Sequence, residues 1–382
     1  MNRVSIKPDL LLWAYERASL NPGALEVRFP KLEEWLSGAL QPTLRQLEAF
    51  AHAVHVPIGY LFLPAPPEEK VPIPDFRTMR DRPLPRPSPN LLDTIYLCQQ
   101  RQDWFRDYAR MHKMAPVAFI GSVSVRNNPV TAAESMRGEL GLSVADRQKL
   151  DTWTEALRQL IAKAEEIGVL VMGSSIVGSN PYRSLDVEEF RGFALTEDLA
   201  PLIFTNAADS KSAQMFTLAH ELAHLWLGES GLSNPEAGIL PDQEVERWCN
   251  AVAAEVLAPI TDVRREFRSS AVITDEIQRM ARIFKVSSLV VLRRLFDAGF
   301  INQNELWRTY EEELERIRSL DRRRSSGGDF YRTLRTRTGK RFARAVIASA
   351  LEGQTLFKDA FRMLGVRKTA TFYEAAREFG VM

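Results

Sequence analysis

The chain has 382 residues, 45% of them hydrophobic and 26% charged, with a formal net charge of +1. That balance excludes a disordered polyelectrolyte, a collagen-like fibre and a single small module. Its two cysteines, Cys98 and Cys249, cannot build a disulfide framework or a four-thiolate zinc site, which points to a reducing compartment.

Helical periodicity opens the chain, with Leu10, Leu11, Trp13, Ala14 and Arg17, then Leu32, Trp35 and Leu36, a turn at Ser37-Gly38, and a stripe of Leu44, Leu47, Phe50, Ala51 and Val54. Residues 1–63 are expected to form a small helical module. Nine of the 21 prolines then fall between Pro64 and Pro89, a density that no helix or central strand tolerates, so 64–90 is expected to be a linker. Helical patterns follow at 90–113 and 131–167, the second broken at Gly141 with Ser143 as the next cap. Three short apolar runs, Gly168–Met172, Phe190–Leu195 and Pro201–Thr205, read as strands of a small sheet. Helices are expected again at 211–227, 242–257, 260–268, 274–284, 287–298 and 303–319, with 91–320 as one domain. Ser325-Ser-Gly-Gly328 sets off a helical, basic 329–382. The fold class is thus mostly α, of the α+β type. No apolar run approaches the roughly 20 residues that span a bilayer, and Met1–Pro8 lacks the apolar stretch of a signal peptide. A cytoplasmic chain without a membrane partner is expected.

The chemistry concentrates in Phe216-Thr-Leu-Ala-His220-Glu221-Leu-Ala-His224-Leu-Trp-Leu-Gly228. Positions four apart on a helix stack one turn above each other, so His220 and His224 present two imidazoles to one point. Glu221, beside the first, can reach a water held there. This is the donor set of a catalytic Zn2+, which keeps one position open and lowers the pKa of its water. Ser210 or Ser212 can cap the helix and Gly228 can close it. Apolar flanks on nearly every side mark a core helix, in which two imidazoles and a carboxylate need a partner.

All five histidines are His52, His55, His112, His220 and His224, so no third imidazole follows the motif, and the third ligand is expected to be a downstream acid. The candidates are Glu229, Glu236, Asp242, Glu244, Glu246 and Glu255. Glu229 and Glu236 fall in the loop Gly228–Pro241. Glu246 is the choice, with Asn250 one turn on to hydrogen-bond a ligating imidazole. Cys249 between them reads as a small buried hydrophobe.

These residues, with Glu246-Arg-Trp-Cys-Asn250-Ala-Val-Ala-Ala-Glu255-Val-Leu-Ala-Pro259, resemble the ImmA/IrrE family of bacterial zinc metallopeptidases, cytoplasmic endopeptidases that cleave repressors and so switch on mobile-element transfer or a stress response. The resemblance implies a zincin-like domain with one Zn2+ on His220, His224 and Glu246, Glu221 as general base, and Asn250 at the polar position of the family helix. Val56-Pro57-Ile-Gly-Tyr-Leu-Phe62 and Pro72-Ile-Pro-Asp75-Phe76-Arg77-Thr78 are similar to a pattern of longer members, whose N-terminal module is an XRE-type helix-turn-helix. Trp35-Leu-Ser-Gly38 and Gln41–Leu47 resemble that module.

Residues 1–62 carry six basic and six acidic side chains, with Glu33 and Glu34 on the would-be reading helix, so DNA binding there competes with a packing or substrate-docking role. From Asp321 to Arg344 nine basic residues face two acidic ones. Arg322, Arg323, Arg324, Lys340 and Arg341 are the candidate nucleic-acid contacts, against a reading as solvated helix faces. Tyr182, in the loop Gly178–Arg183, is the candidate oxyanion stabiliser. The expected function is a zinc endopeptidase acting on a protein partner, a repressor or a toxin–antitoxin component. The alternative is a DNA-binding regulator or antitoxin of a toxin–antitoxin or phage-defence locus with a structural or vestigial metal site.

Overall fold

Helix caps and left-handed glycines divide this chain into its elements. The computed structural model describes residues 3–18, 22–77, 86–235, 241, 243–321 and 330–382. Two compact units emerge, one of Met1–Pro72 with Pro83–Ile95, the other of Ile73–Arg82 with Tyr96–Met382.

The first unit holds α1 (Pro8–Arg17), α2 (Pro22–Arg28), α3 (Leu32–Leu36) and α4 (Leu44–Ala53), with a 3-10 turn at Ile58–Phe62. Thr43 and Gln46 form a reciprocal capping box that starts α4. Phe29, Trp35 and Phe50 meet edge to face or tilted, at 5.7–6.4 Å between ring centroids, and fill the core with Leu11, Leu32, Leu47 and Leu61. Helices α2 and α3 are short, seven and five residues, and Glu33 and Glu34 on α3 are exposed.

The helix α5 (Pro89–Met111) is followed by α6 (Pro129–Leu140), α7 (Val144–Gln148) and α8 (Trp153–Glu166). The expected single break at Gly141, which ends α6 in the left-handed region at φ 58°, is joined by a second at Leu150–Thr152. There Thr152 and Glu155 form another capping box, a Thr-x-x-Glu signal readable in the sequence.

Strands β1 (Leu170–Ser174), β2 (Gly192–Leu195), β3 (Leu202–Asn206) and β4 (Gly231–Ser233) make a four-stranded sheet in the order β1-β3-β2-β4. β1 runs parallel to β3, and the other pairings are antiparallel. The fourth strand falls within the stretch Gly228–Pro241 that sequence composition marks as loop. It is only three residues long and is held by pairing to β2, a long-range contact that local pattern does not encode.

Between β3 and β4 runs α9 (Lys211–Leu227), capped by the Ser210 hydroxyl and ended by Gly228 at φ 74°. Every side chain from Gln214 to Trp226 is buried, because α9 lies against β2 and β3 and also against α8 and α10 (Glu244–Leu257). At Gly192 of β2 an added Cβ would stand 2.6 Å from Thr217 Cγ2 and 2.9 Å from Phe204 O. The glycine thus sets how closely sheet and helix approach.

Beyond α10 come α11 (Ile260–Glu266), α12 (Ile273–Phe284), α13 (Ser288–Asp297), α14 (Gln303–Asp321), α15 (Phe330–Thr338), α16 (Lys340–Leu351), α17 (Phe357–Leu364) and α18 (Thr369–Glu378). α15 and α16 pack on β1. Among the described residues no helix is long and apolar enough to cross a membrane.

Helix α10 is held at its C-terminal end by three guanidinium groups. Arg137 Nη1 donates to Glu255 O at 2.6 Å, Arg147 donates to Leu257 O, and Arg294 Nε donates to Ala258 O at 2.9 Å. Cations there complement the carbonyl end of the helix dipole. Arg294 also pairs with the buried Glu255 carboxylate, which in turn accepts from Ile260 N–H at 3.2 Å. Breaking a buried pair strands its survivor, so Arg294→Met is expected to lower the unfolding free energy by about 3 kcal/mol in urea titrations. Adding Glu255→Gln should recover more than half of that loss. A change below about 0.5 kcal/mol for Arg294→Met would show that the pair contributes nothing.

Candidate metal centre

Helices α9 and α10 lie side by side and bring His220, His224 and Glu246 together in a fully buried cluster. His224 Nε2 stands 3.1 Å from His220 Nε2 and 2.9 Å from Glu246 Oε1, and His220 Nε2 stands 3.3 Å from Glu246 Oε2. The edges of a zinc tetrahedron with ligand distances near 2.0–2.1 Å are about 3.3 Å long. The three donors therefore already stand at the separations that one small divalent cation requires.

Tautomer chemistry agrees with this geometry. The Oδ1 of Asn250 lies 2.9 Å from His220 Nδ1, and an oxygen acceptor there fixes the ring proton on Nδ1. His220 Nε2 is left with its lone pair directed at the cluster. The spacing of Asn250 from Glu246, one helical turn, puts a candidate ligand and the partner of His220 on the same helix.

Glu221 occupies the next position on α9 and is wholly buried, and neither carboxylate oxygen has a hydrogen-bond partner among the described residues. Burial, and next the negative charge of Glu246, push its carboxyl well above the usual carboxylate range. Burial alone would raise Glu246 too, but His220 and His224 outweigh it and hold that acid down to about 2. Burial lowers His224, against the pull of Glu246. Two acids and two imidazoles removed from bulk solvent are costly unless a cation compensates them. The donor set, its separations and the orphaned Glu221 oxygens all fit one Zn2+ held by His220, His224 and Glu246.

The remaining candidates are placed elsewhere. Glu255 is spent on Arg294 and on the start of α11, while Glu229 and Glu244 are exposed. Glu236 and Asp242 lie outside the described residues, as do Arg322, Arg323 and Arg324. Cys249 is buried in the α9–α10 interface, and burial together with the charges of Glu246 and Glu221 drives its thiol well above the ordinary range, which keeps it protonated. Tyr182 is 93% exposed, and a side chain so exposed makes no contact with the buried cluster. Lys340 faces solvent, whereas Arg341 is half-buried with its guanidinium 5.5 Å from the Phe105 ring centroid.

Two residues join the site without having been singled out for it. Ser233 of β4 places its hydroxyl 3.4 Å from His224 Nε2 and donates to Glu246 Oε1 at 3.3 Å. Phe76 stacks on His224, with ring centroids 5.5 Å apart and planes 14° apart. No local signal marks Ser233, whose role depends on the register of β4 with β2. Phe76 sits in the Pro72–Thr78 motif, and the conjunction of that motif with the metal signature was the available clue.

Metal analysis of the purified chain should find one zinc ion per chain, and Glu246→Ala or His224→Ala should lose it. Asn250→Ala should retain the site with an affinity about 10–100-fold weaker. Undiminished zinc in Glu246→Ala would remove that residue from the ligand set.

Comparison with protein families agrees with this picture over part of the chain. Residues 164–296 match the M78 peptidase family model, described as the IrrE N-terminal-like domain, and this span contains the whole cluster from His220 to Asn250. Residues 338–378 match a family model described only as a domain of unknown function. No curated protein matches the chain. The first match supports a peptidase of the ImmA/IrrE type, and the mixed sheet with its metal helix is the α+β fold expected of such a domain.

Proposed function

We propose that this chain is a zinc-dependent endopeptidase that cleaves a regulatory protein of the repressor type. The observation that carries the reading is the convergence of His220, His224 and Glu246 beside a buried acid, Glu221, whose oxygens have no hydrogen-bond partner among the described residues. The family match supports the peptidase class, and the repressor substrate follows the resemblance of the metal motif and linker to that family. On the same grounds its place of action is the cytoplasm.

Bound between these three residues, Zn2+ would supply a Lewis acid for the scissile carbonyl and lower the pKa of the attacking water. Glu221 takes up the proton of that water and passes it to the leaving amine. Glu221 is placed for both transfers by its position next to His220 on α9, inside the buried cluster. Asn250 keeps the His220 ring in the tautomer that offers Nε2. Ser233, buried at the end of β4, reaches both His224 and Glu246 with its hydroxyl and supports the ligands themselves.

Incubating the zinc-loaded chain with a proteome-derived peptide library, and reading new amino termini by mass spectrometry, should reveal cleavage. Glu221→Gln should reduce its rate by about 10²–10⁴-fold while keeping the metal. Cleavage by Glu221→Gln at the wild-type rate would refute the assigned base.

A further inference from the structure

The two ligand imidazoles are supported in different ways. His220 has Asn250 on its outer nitrogen, whereas His224 Nδ1 is buried and has no hydrogen-bond partner among the described residues. A metal-binding imidazole is normally oriented by a polar partner on its second nitrogen. Without one, the Nδ1 side of the ring is restrained by packing rather than by a hydrogen bond.

That packing comes from Phe76. Nearly parallel planes at 5.5 Å describe an offset stack, which blocks rotation of the imidazole toward the phenyl face. Three separate features seat the phenyl ring. First, its segment pairs with the outer edge of β4: Phe76 N–H donates to Leu232 O at 2.9 Å and Leu232 N–H donates to Pro74 O at 2.9 Å, in a parallel bridge. Second, the Arg77 guanidinium grips Asp75 through two hydrogen bonds, 2.9 Å from Nε and 2.6 Å from Nη2, and donates through Nη1 to Glu189 O at 3.3 Å. Third, Gly231 of β4 leaves the space that the ring fills. A Cβ there would lie 2.4 Å from two of the Phe76 ring carbons and 3.7 Å from His224 Cε1. Glycine weakens a strand, and at this position the close approach of the ring accounts for it.

We propose that Phe76 is the positioning residue for His224, holding its imidazole so that Nε2 meets His220 and Glu246 at one point. Metal retention then depends on a short strap, Ile73–Arg77, that lies well upstream of the matched peptidase segment at 164–296. The strap and the domain act as one metal-binding body, and lifting the strap loosens one ligand of three. This inference rests on the reading of the cluster as a metal centre.

The test uses the full chain, with Zn2+ and Co2+ as probes. Zinc affinity is measured by competition with a chromophoric chelator, ligand geometry by the visible spectrum of the cobalt-substituted protein, and overall stability by thermal melting of the metal-free form. Phe76→Ala should weaken zinc binding by about 10–100-fold and shift the cobalt bands, with Phe76→Tyr restoring both toward wild type. Gly231→Ala should reproduce the Phe76→Ala behaviour, since its methyl group takes the place of the ring while Phe76 itself is retained. Phe76→Leu, which keeps apolar volume without a ring plane, gives the same readout if the alanine variant fails to fold. Wild-type affinity and an unshifted cobalt spectrum in Phe76→Leu and Gly231→Ala would overturn the proposal, even if the melting temperature of the metal-free form falls. A wild-type chain that binds neither ion would instead overturn the metal reading, and the proposal with it.

Discussion

The packing of α9 against α10 is organised around the burial of two imidazoles and two carboxylates in one apolar interface. Such a set is expensive without a cation, because ionised groups removed from water are stabilised only by close opposite charge. With a divalent ion among them, the same groups become mutually supporting. The apolar helix α9, the neighbouring α10 and the sheet that covers them can then be understood as the walls of a dry site in which electrostatic interactions are strong. The two acids are driven apart by their surroundings: His220 and His224 outweigh burial and hold Glu246 low, whereas burial, and next the charge of Glu246, raise Glu221. On the proposed reading, Glu246 is the ligand and Glu221 the base.

The precision of the site comes from features that are small or distant. Gly192 and Gly231 contribute by what they lack, one letting the sheet approach α9 and the other admitting the Phe76 ring. Arg137, Arg147 and Arg294 anchor the far end of α10, the helix that carries Glu246 and Asn250. These guanidiniums complement helix carbonyls, and a reading of arginine as a surface residue does not anticipate them. The same holds in the C-terminal region, where Arg337 is buried with Nη2 donating to Leu364 O at 3.2 Å, and Arg341 lies over Phe105.

Much of the centre was legible in the sequence because its signals are local. The expected helix 211–227 coincides with α9, since a serine cap, an unbroken apolar stretch and a closing glycine bracket it. His220, Glu221 and His224 follow from helical spacing, and Glu246 and Asn250 from the same rule applied to the next helix. The three long strands were placed to within two residues by their apolar runs. What escaped was long-range. β4 is too short to have a pattern, Ser233 gains its meaning from strand register, and Phe76 acts on a histidine almost 150 residues away through a contact that no local periodicity encodes.

The central claim is that two histidines and one glutamate converge on a single zinc ion. X-ray absorption at the zinc edge of the loaded full chain tests it most directly. The account predicts an inner shell of two imidazole nitrogens and carboxylate oxygen at about 2.0–2.2 Å, with the outer-ring scattering of two histidines. A shell containing sulfur at about 2.3 Å, or one of oxygens alone without imidazole scattering, would contradict it.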